Sequence, residues 1–218
     1  MEQFEKAVKL FGRIILTDMR KAGINCWIAG GALRDYFRDA RIKTDYDIFF
    51  PNATEYEKAK VYFIAKGAEV KFNSENGTKI LHRGKIFDLV KHYFDSPQAT
   101  IDRFDFTISM FAVDDKKVYY GKTAFIDLAK KQLIFNEITY PDSTLCRAFR
   151  HNKYGFTISL AEMKKLTDAV RTGENIGIAP SGYDWDEEKY EKFEDYAERA
   201  NEEKEFIDFD ELYDDYEG

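Results

Sequence analysis

Apolar positions in the first twenty residues recur at helical steps. Phe4, Val8, Phe11, Ile15 and Met19 lie three or four apart, which predicts an amphipathic helix over residues 2–21. Lys21-Ala22-Gly23 closes it with a cation and a glycine. Residues 24–29 predict a short buried strand broken at Gly30-Gly31, followed by a helix over 32–37 and a strand over 46–50 that Pro51 stops. A second long helix is expected over 54–66, with Tyr56, Ala59, Tyr62 and Phe63 on one side and Gly67 at its end. The period then shortens to two. Strands are expected over 70–73, 79–82 and 85–93, with turn chemistry at Asn76-Gly77 and Arg83-Gly84. A further hairpin joins 107–113 to 117–120. Helical spacing returns over 126–131, 142–154 and 160–171, with a short apolar piece at 133–135 between them. Strands first and helices last predict an α+β fold, a mixed β-sheet head with flanking helices and a short helical annex. The expected boundaries are a head over 1–140, a helical neck over 141–172, and a linker with an acidic helix or tail over 173–218, where Gly173, Gly177, Pro180 and Gly182 mark the linker.

Composition sharpens this outline. With 44% hydrophobic and 16% aromatic residues, including 14 Tyr and 19 Phe, the chain is too rich in core-forming side chains to be wholly disordered. No apolar stretch is long enough to span a bilayer and Met1-Glu2-Gln3-Phe4-Glu5-Lys6 has no signal-peptide pattern, so no membrane is expected and the expected location is cytoplasmic. Cys26 and Cys146 are far apart, without the spacing of a zinc site or disulfide framework. The net charge of −7 hides an asymmetry: residues 184–218 hold 17 acidic and 4 basic side chains, so the first 183 carry a charge of +6. A mildly basic body suits a polyanionic ligand, although such a charge is also common without one. The acidic tail reads first as a solvated helix with a frayed end, and Tyr183, Trp185, Tyr190, Phe193 and Tyr196 as an amphipathic packing face.

Two short patterns carry chemistry. Glycines at a strand-to-helix turn let backbone N–H groups approach an anion, so Gly30-Gly31 would accommodate a pyrophosphate. In Asp45-Tyr46-Asp47 the two carboxylates, at i and i+2 of a strand, face one way and can grip hard divalent cations while Tyr46 faces the other. Each pattern alone is weak, since most Gly-Gly turns are only turns and most Asp-x-Asp pairs are solvated. His82, His92 and His151 are scattered without metal-ligand spacing and are expected in core or surface roles.

In combination these residues resemble a family. Gly30-Gly31-Ala32-Leu33-Arg34-Asp35 and Lys43-Thr44-Asp45-Tyr46-Asp47, followed by Asp105-Phe106-Thr107-Ile108-Ser109 and Arg147-Ala148-Phe149-Arg150, are similar to four ordered motifs of the head domain of class II CCA-adding tRNA nucleotidyltransferases and bacterial poly(A) polymerases, in the DNA polymerase β superfamily. The resemblance covers roughly residues 24–158. It implies transfer of a nucleoside monophosphate from an NTP to a hydroxyl, with two Mg²⁺ ions held by Asp45 and Asp47 and a third catalytic carboxylate at Asp88. By the same resemblance Gly30, Gly31, Arg34, Arg103, Arg147 and Arg150 would meet the nucleotide. The bland alternative for Arg34 is a buried ion pair with a catalytic-site aspartate, and for Arg150 and Lys153 a solvated helix flank. The implied acceptor is an RNA or tRNA 3′ end.

The chain also departs from that pattern. Phe104 stands where the family has the arginine before Asp-Phe-Thr, with Arg103 one place earlier. The family's base-reading acid and arginine fall out of register with Tyr140-Pro141-Asp142-Ser143-Thr144, so selectivity for CTP and ATP does not carry over. Little chain follows the head, so an autonomous grip on tRNA is not expected and an oligomer or partner protein is one way to supply it. Two other readings stay open: a compact nucleotidyltransferase that modifies a small molecule or protein, as toxin-like and resistance-like members do, and a non-catalytic nucleotide or RNA-binding module.

Overall fold

The computed structural model describes residues 2–38, 42 and 44–172. The expected linker and acidic tail therefore lie outside the described residues. The amino-terminal helix is not uniform: α1 (Glu2–Phe11) and α2 (Thr17–Lys21) are joined by a π-turn over Gly12–Leu16. Phe11, Ile15, Leu16 and Met19 are all buried along this stretch. Then follow β1 (Trp27–Ala29), α3 (Gly31–Phe37), β2 (Tyr46–Phe49) and α4 (Ala53–Ala65). Asn52 starts α4 by accepting the Glu55 N–H at 3.0 Å.

The strands β3 (Glu69–Asn73), β4 (Gly77–His82) and β5 (Lys85–Val90) come next, as the change of period predicts. Gly77 begins β4 rather than completing a turn. A Cβ there would lie 2.6 Å from the Leu89 carbonyl oxygen, so only glycine allows this approach to β5. Between β4 and β5, Arg83 and Gly84 both have positive φ, 49° and 71°, and the flanking pair is His82 with Lys85. This is the geometry of a two-residue hairpin turn whose twist suits the strands. Arg83, strained there as a non-glycine residue, is anchored by Asp18 at 3.2 Å.

The short helix α5 (Pro97–Ile101) escapes the apolar periodicity, yet Ser96 caps it by accepting the Ala99 N–H, and Pro97 fits its first turn. Residues 107–109, expected as strand, form a 3₁₀ turn instead, because the Thr107 N–H is drawn to the Ile134 carbonyl and the Met110 N–H bonds back to Thr107. The chain continues through β6 (Phe111–Val113), β7 (Val118–Tyr120), α6 (Ala124–Ala129), β8 (Gln132–Leu133), α7 (Pro141–Lys153), β9 (Thr157–Ile158) and α8 (Leu160–Thr172).

Seven strands make one sheet in the order β3-β4-β5-β2-β1-β6-β7, antiparallel except for the β2–β5 pair. Mixed sheet and flanking helices confirm the α+β fold. One face holds Ile28, Ile48, Ile80, Phe87 and Leu89, all buried. Phe11 reaches this face against Tyr46, and Phe63 of α4 against Phe87, with centroids 6.2 and 5.3 Å apart. Near the other face, the Trp27 Nε1–H donates to Thr100 Oγ1 of α5 at 2.9 Å. The annex is stitched on by the parallel β8–β9 pair and by buried Glu162 of α8, which accepts the Phe135 N–H at 2.8 Å. Among the described residues, no helix is long and apolar enough to cross a membrane.

The two helix caps give a direct test. Ser96→Ala and Asn52→Ala should each lower the unfolding free energy by about 1 kcal/mol in urea denaturation. Their effects should add, since the two caps share no partner.

Candidate active site

The register of the sheet gathers charge on the face opposite the main core. Asp47 pairs with Asp88 across β2 and β5, Asp88 with Lys79 across β5 and β4, and Asp47 with Ala29 of β1. Side chains in register share a face, so Lys79, Asp88 and Asp47 form one rung, with the small Ala29 beside it. Asp45 lies immediately before β2, two residues from Asp47, and its Oδ2 accepts from Lys79 Nζ at 2.6 Å. Asp88 Oδ2 is 3.9 Å from the same ammonium. Tyr46 faces the opposite way, onto Phe87. The three carboxylates singled out by the sequence thus come together, with a lysine the sequence reading overlooked.

Electrostatics follow from this crowding. Asp47 is pushed up to about 7, first by burial and then by the charges of Asp88 and Asp45, while Lys79 and Arg34 act in the opposite direction. Asp88 is also raised, chiefly by burial, against the pull of Lys79. Burial works against the charge on Lys79, but its bond to Asp45 and the fields of Asp88 and Asp47 outweigh it and raise its pKa.

The glycine turn sits against these carboxylates. Gly30 has φ +85°, a conformation closed to most side chains, and a Cβ there would come within 3.6 Å of Asp47 Oδ2 and 3.7 Å of the Phe104 ring. Contrary to the expectation from the sequence, the Gly30 N–H is not available to an anion, because it donates to the Phe111 carbonyl at 2.9 Å. The N–H groups of Gly31, Ala32 and Leu33 precede the first i→i−4 bond of α3, which runs from Arg34 to Gly30. Gly31 makes room for Thr44, whose Oγ1 would be 3.1 Å from an added Cβ. That hydroxyl is buried without a hydrogen-bond partner. An unsatisfied hydroxyl beside a bare glycine turn and a carboxylate cluster suits an anion bound together with a cation.

The candidate arginines divide. Arg34 is buried and paired with its neighbour Asp35 at 3.0 Å, rather than with one of the catalytic-site aspartates. Arg147 Nε donates to Asp105 at 2.5 Å. Arg34, Arg147 and exposed Arg150 all act on buried His151, as does Arg38 just after α3, and burial with these four cations lowers the imidazole to about 3. His151 is therefore neutral, edge-on to Phe106 at 5.3 Å. Arg38 was not visible as a candidate, since nothing in its own sequence pattern places it near α7. Arg103 is engaged elsewhere, 2.9 Å from Glu137. Phe104, in the place of the family's arginine, packs 6.0 Å from Phe49 and forms an apolar wall behind Gly30.

Asp45, Asp47 and Asp88 offer the hard oxygen donors that suit Mg²⁺. Among the described residues, no three or more His, Cys, Asp or Glu side chains converge as a ready-made metal cage. Asp45 is turned to Lys79 instead.

The raised pKa of Asp47 predicts a pH dependence. Its folded value of about 7 lies above the ordinary 3.8, so the native protein keeps a proton that the unfolded chain has lost between these values. Ionising Asp47 thus costs stability progressively as pH rises through that window. In urea denaturation with chelator, Asp47→Asn should be more stable than wild type at pH 8. The advantage should shrink through pH 7 and disappear near pH 4.

Comparison with known proteins supports the fold assignment. The Bacillus stearothermophilus CCA-adding enzyme in complex with CTP is similar over 76% of this chain and 43% of its own, at 18% identity and a TM-score of 0.54. The Thermotoga maritima CCA-adding enzyme complexed with tRNA-CCA is similar over 77% and 43%, at 19% identity and a TM-score of 0.60. A CCA-adding enzyme complexed with ATP gives 79%, 45%, 18% and 0.59. The chain thus has the nucleotidyltransferase head fold and spans less than half the length of these enzymes. No protein of curated function matches it in sequence. The family model described as Gabija anti-defense 2 family protein matches residues 2–131, the stretch that holds the glycine turn, Thr44 and the charged rung, and the chain belongs to that family.

Proposed function

We propose that the protein is a metal-dependent nucleotidyltransferase that moves a nucleoside monophosphate from an NTP to a hydroxyl acceptor, with an RNA 3′ end as the first acceptor class. The observation that carries this reading is the juxtaposition of Asp45, Asp47 and Asp88 with the glycine turn and the unsatisfied Thr44 hydroxyl. Asp45 and Asp47 would hold Mg²⁺, two ions by family resemblance, which when bound neutralises negative charge on the triphosphate. The rest falls to the chain's own residues. Gly30 and Gly31 keep side chains out of the way of the phosphates, and Thr44 Oγ1 donates to a phosphate oxygen. Arg34, whose charge acts on both Asp47 and His151, supplies positive field at the site, and Arg38, Arg147 and Arg150 surround His151 with it. The acceptor oxygen bonds to the α-phosphorus, the bond to the bridging oxygen breaks, and pyrophosphate leaves. Asp88, with its raised affinity for a proton, takes the one the acceptor hydroxyl gives up.

The family designation as Gabija anti-defense proteins favours a second reading of the acceptor, in which the nucleotide is placed on a protein or small molecule of the Gabija defence. Both readings share the same chemistry and differ only in where label appears.

Incubated with Mg²⁺, each α-labelled NTP and total tRNA, the full chain is expected to label RNA. Asp45→Ala and Asp47→Ala should each reduce the rate by roughly a hundredfold or more, equivalent to several kcal/mol of lost transition-state stabilisation. Label on a Gabija protein or a small molecule would move the acceptor to the second reading. No label on any acceptor would overturn nucleotidyl transfer itself, and undiminished transfer by both variants would overturn the assignment of Asp45 and Asp47 to it.

A further inference from the structure

Lys79 is the unexpected member of the charged rung. Its ammonium lies 2.6 Å from Asp45 Oδ2 and 3.9 Å from Asp88 Oδ2, so a single internal cation serves carboxylates from two strands. The strand register delivers it there. Lys79 stands directly opposite Asp88, and Phe72 of β3 flanks it on the outer side. At 43% exposure, its side chain is more open than those of Asp45 and Asp88, at 32% and 26%, so the ammonium can leave without disturbing the core. Ile80 and Thr78, its neighbours along β4, are fully buried and hold the strand in place.

A divalent cation at this site needs the oxygens that Lys79 now engages, and two cations cannot share that position without strong repulsion. Removing the lysine from a crowd of three carboxylates leaves their mutual repulsion uncompensated, which is the condition that favours a metal ion.

We propose that Lys79 is a displaceable internal counter-ion: it holds Asp45 and Asp88 together while no divalent cation is bound, and a cation entering the site must displace it from Asp45. The lysine is a positioning residue that weakens the hold of the site on free metal. The proposal rests on the reading that Asp45 and Asp47 take divalent cations, and its test needs no turnover.

Mn²⁺ binding to the nucleotide-free full chain, followed by electron paramagnetic resonance, separates the possibilities. Lys79→Met should bind Mn²⁺ about tenfold more tightly than wild type or more, and Lys79→Arg should stay near wild type. Adding Asp45→Asn to Lys79→Met should remove the gain, because the competition is for that carboxylate. Thermal melts confirm that the variants are folded, and Lys79→Gln, which keeps a donor without the charge, serves if the methionine variant is not. Equal Mn²⁺ affinity in wild type and the uncharged variants would overturn the role of Lys79 and leave the metal reading standing. Absence of Mn²⁺ binding in every variant would overturn both.

Discussion

The central constraint in this molecule is that two carboxylates face each other across neighbouring strands in the interior of its sheet. Asp47 and Asp88 occupy one register pair of β2 and β5, where like charges are destabilising, and Asp45 adds a third from the same side. The chain tolerates this because the opposite face is packed with Ile28, Ile48, Phe87 and Leu89, which hold the strands whatever the rung costs. Partial compensation comes from Lys79 in the same rung and from Arg34 of α3. Burial and the neighbouring carboxylates also push the Asp47 pKa up to about 7, so it holds its proton more readily than a free carboxyl.

That arrangement makes the site a property of the whole sheet rather than of one motif. Asp45 and Asp47 come with β2, Asp88 with β5, Lys79 with β4, and the glycine turn with the end of β1. The arginines come from α3 and α7, which meet over neutral His151. Glu162 of α8 and the β8–β9 pair tie the chain after α7 to residues 132–135 before it.

Much of this was legible in the sequence because local signals suffice for it. The alternation that sets Asp45 and Asp47 apart from Tyr46, the glycine turn and the long helices α4, α7 and α8 depend on neighbours in the chain. What escaped depends on pairing. Nothing local says that Lys79 stands opposite Asp88, that Thr44 packs on Gly31, or that Arg38 meets α7. Residues 107–109 read as the start of a strand, but a backbone bond to Ile134 decides otherwise. The short α5 left too few apolar positions for a period, although Ser96-Pro97 is a legible helix start. The ion pair of Arg103 with Glu137 likewise joins residues far apart in the chain.

The turn at Arg83 and Gly84 reaches further than its position suggests. It lies beyond three register pairs from the Lys79–Asp88 pair, yet its two positive φ angles fix the alignment of the whole hairpin. A one-residue slip there would reverse which side chains of β4 share a face with Asp88. Thr78 or Ile80 would then stand in the rung and Lys79 would be driven toward the core. The charge balance of the site is thus inherited from a surface turn, and an insertion at that loop would alter the electrostatics while leaving every carboxylate in the chain.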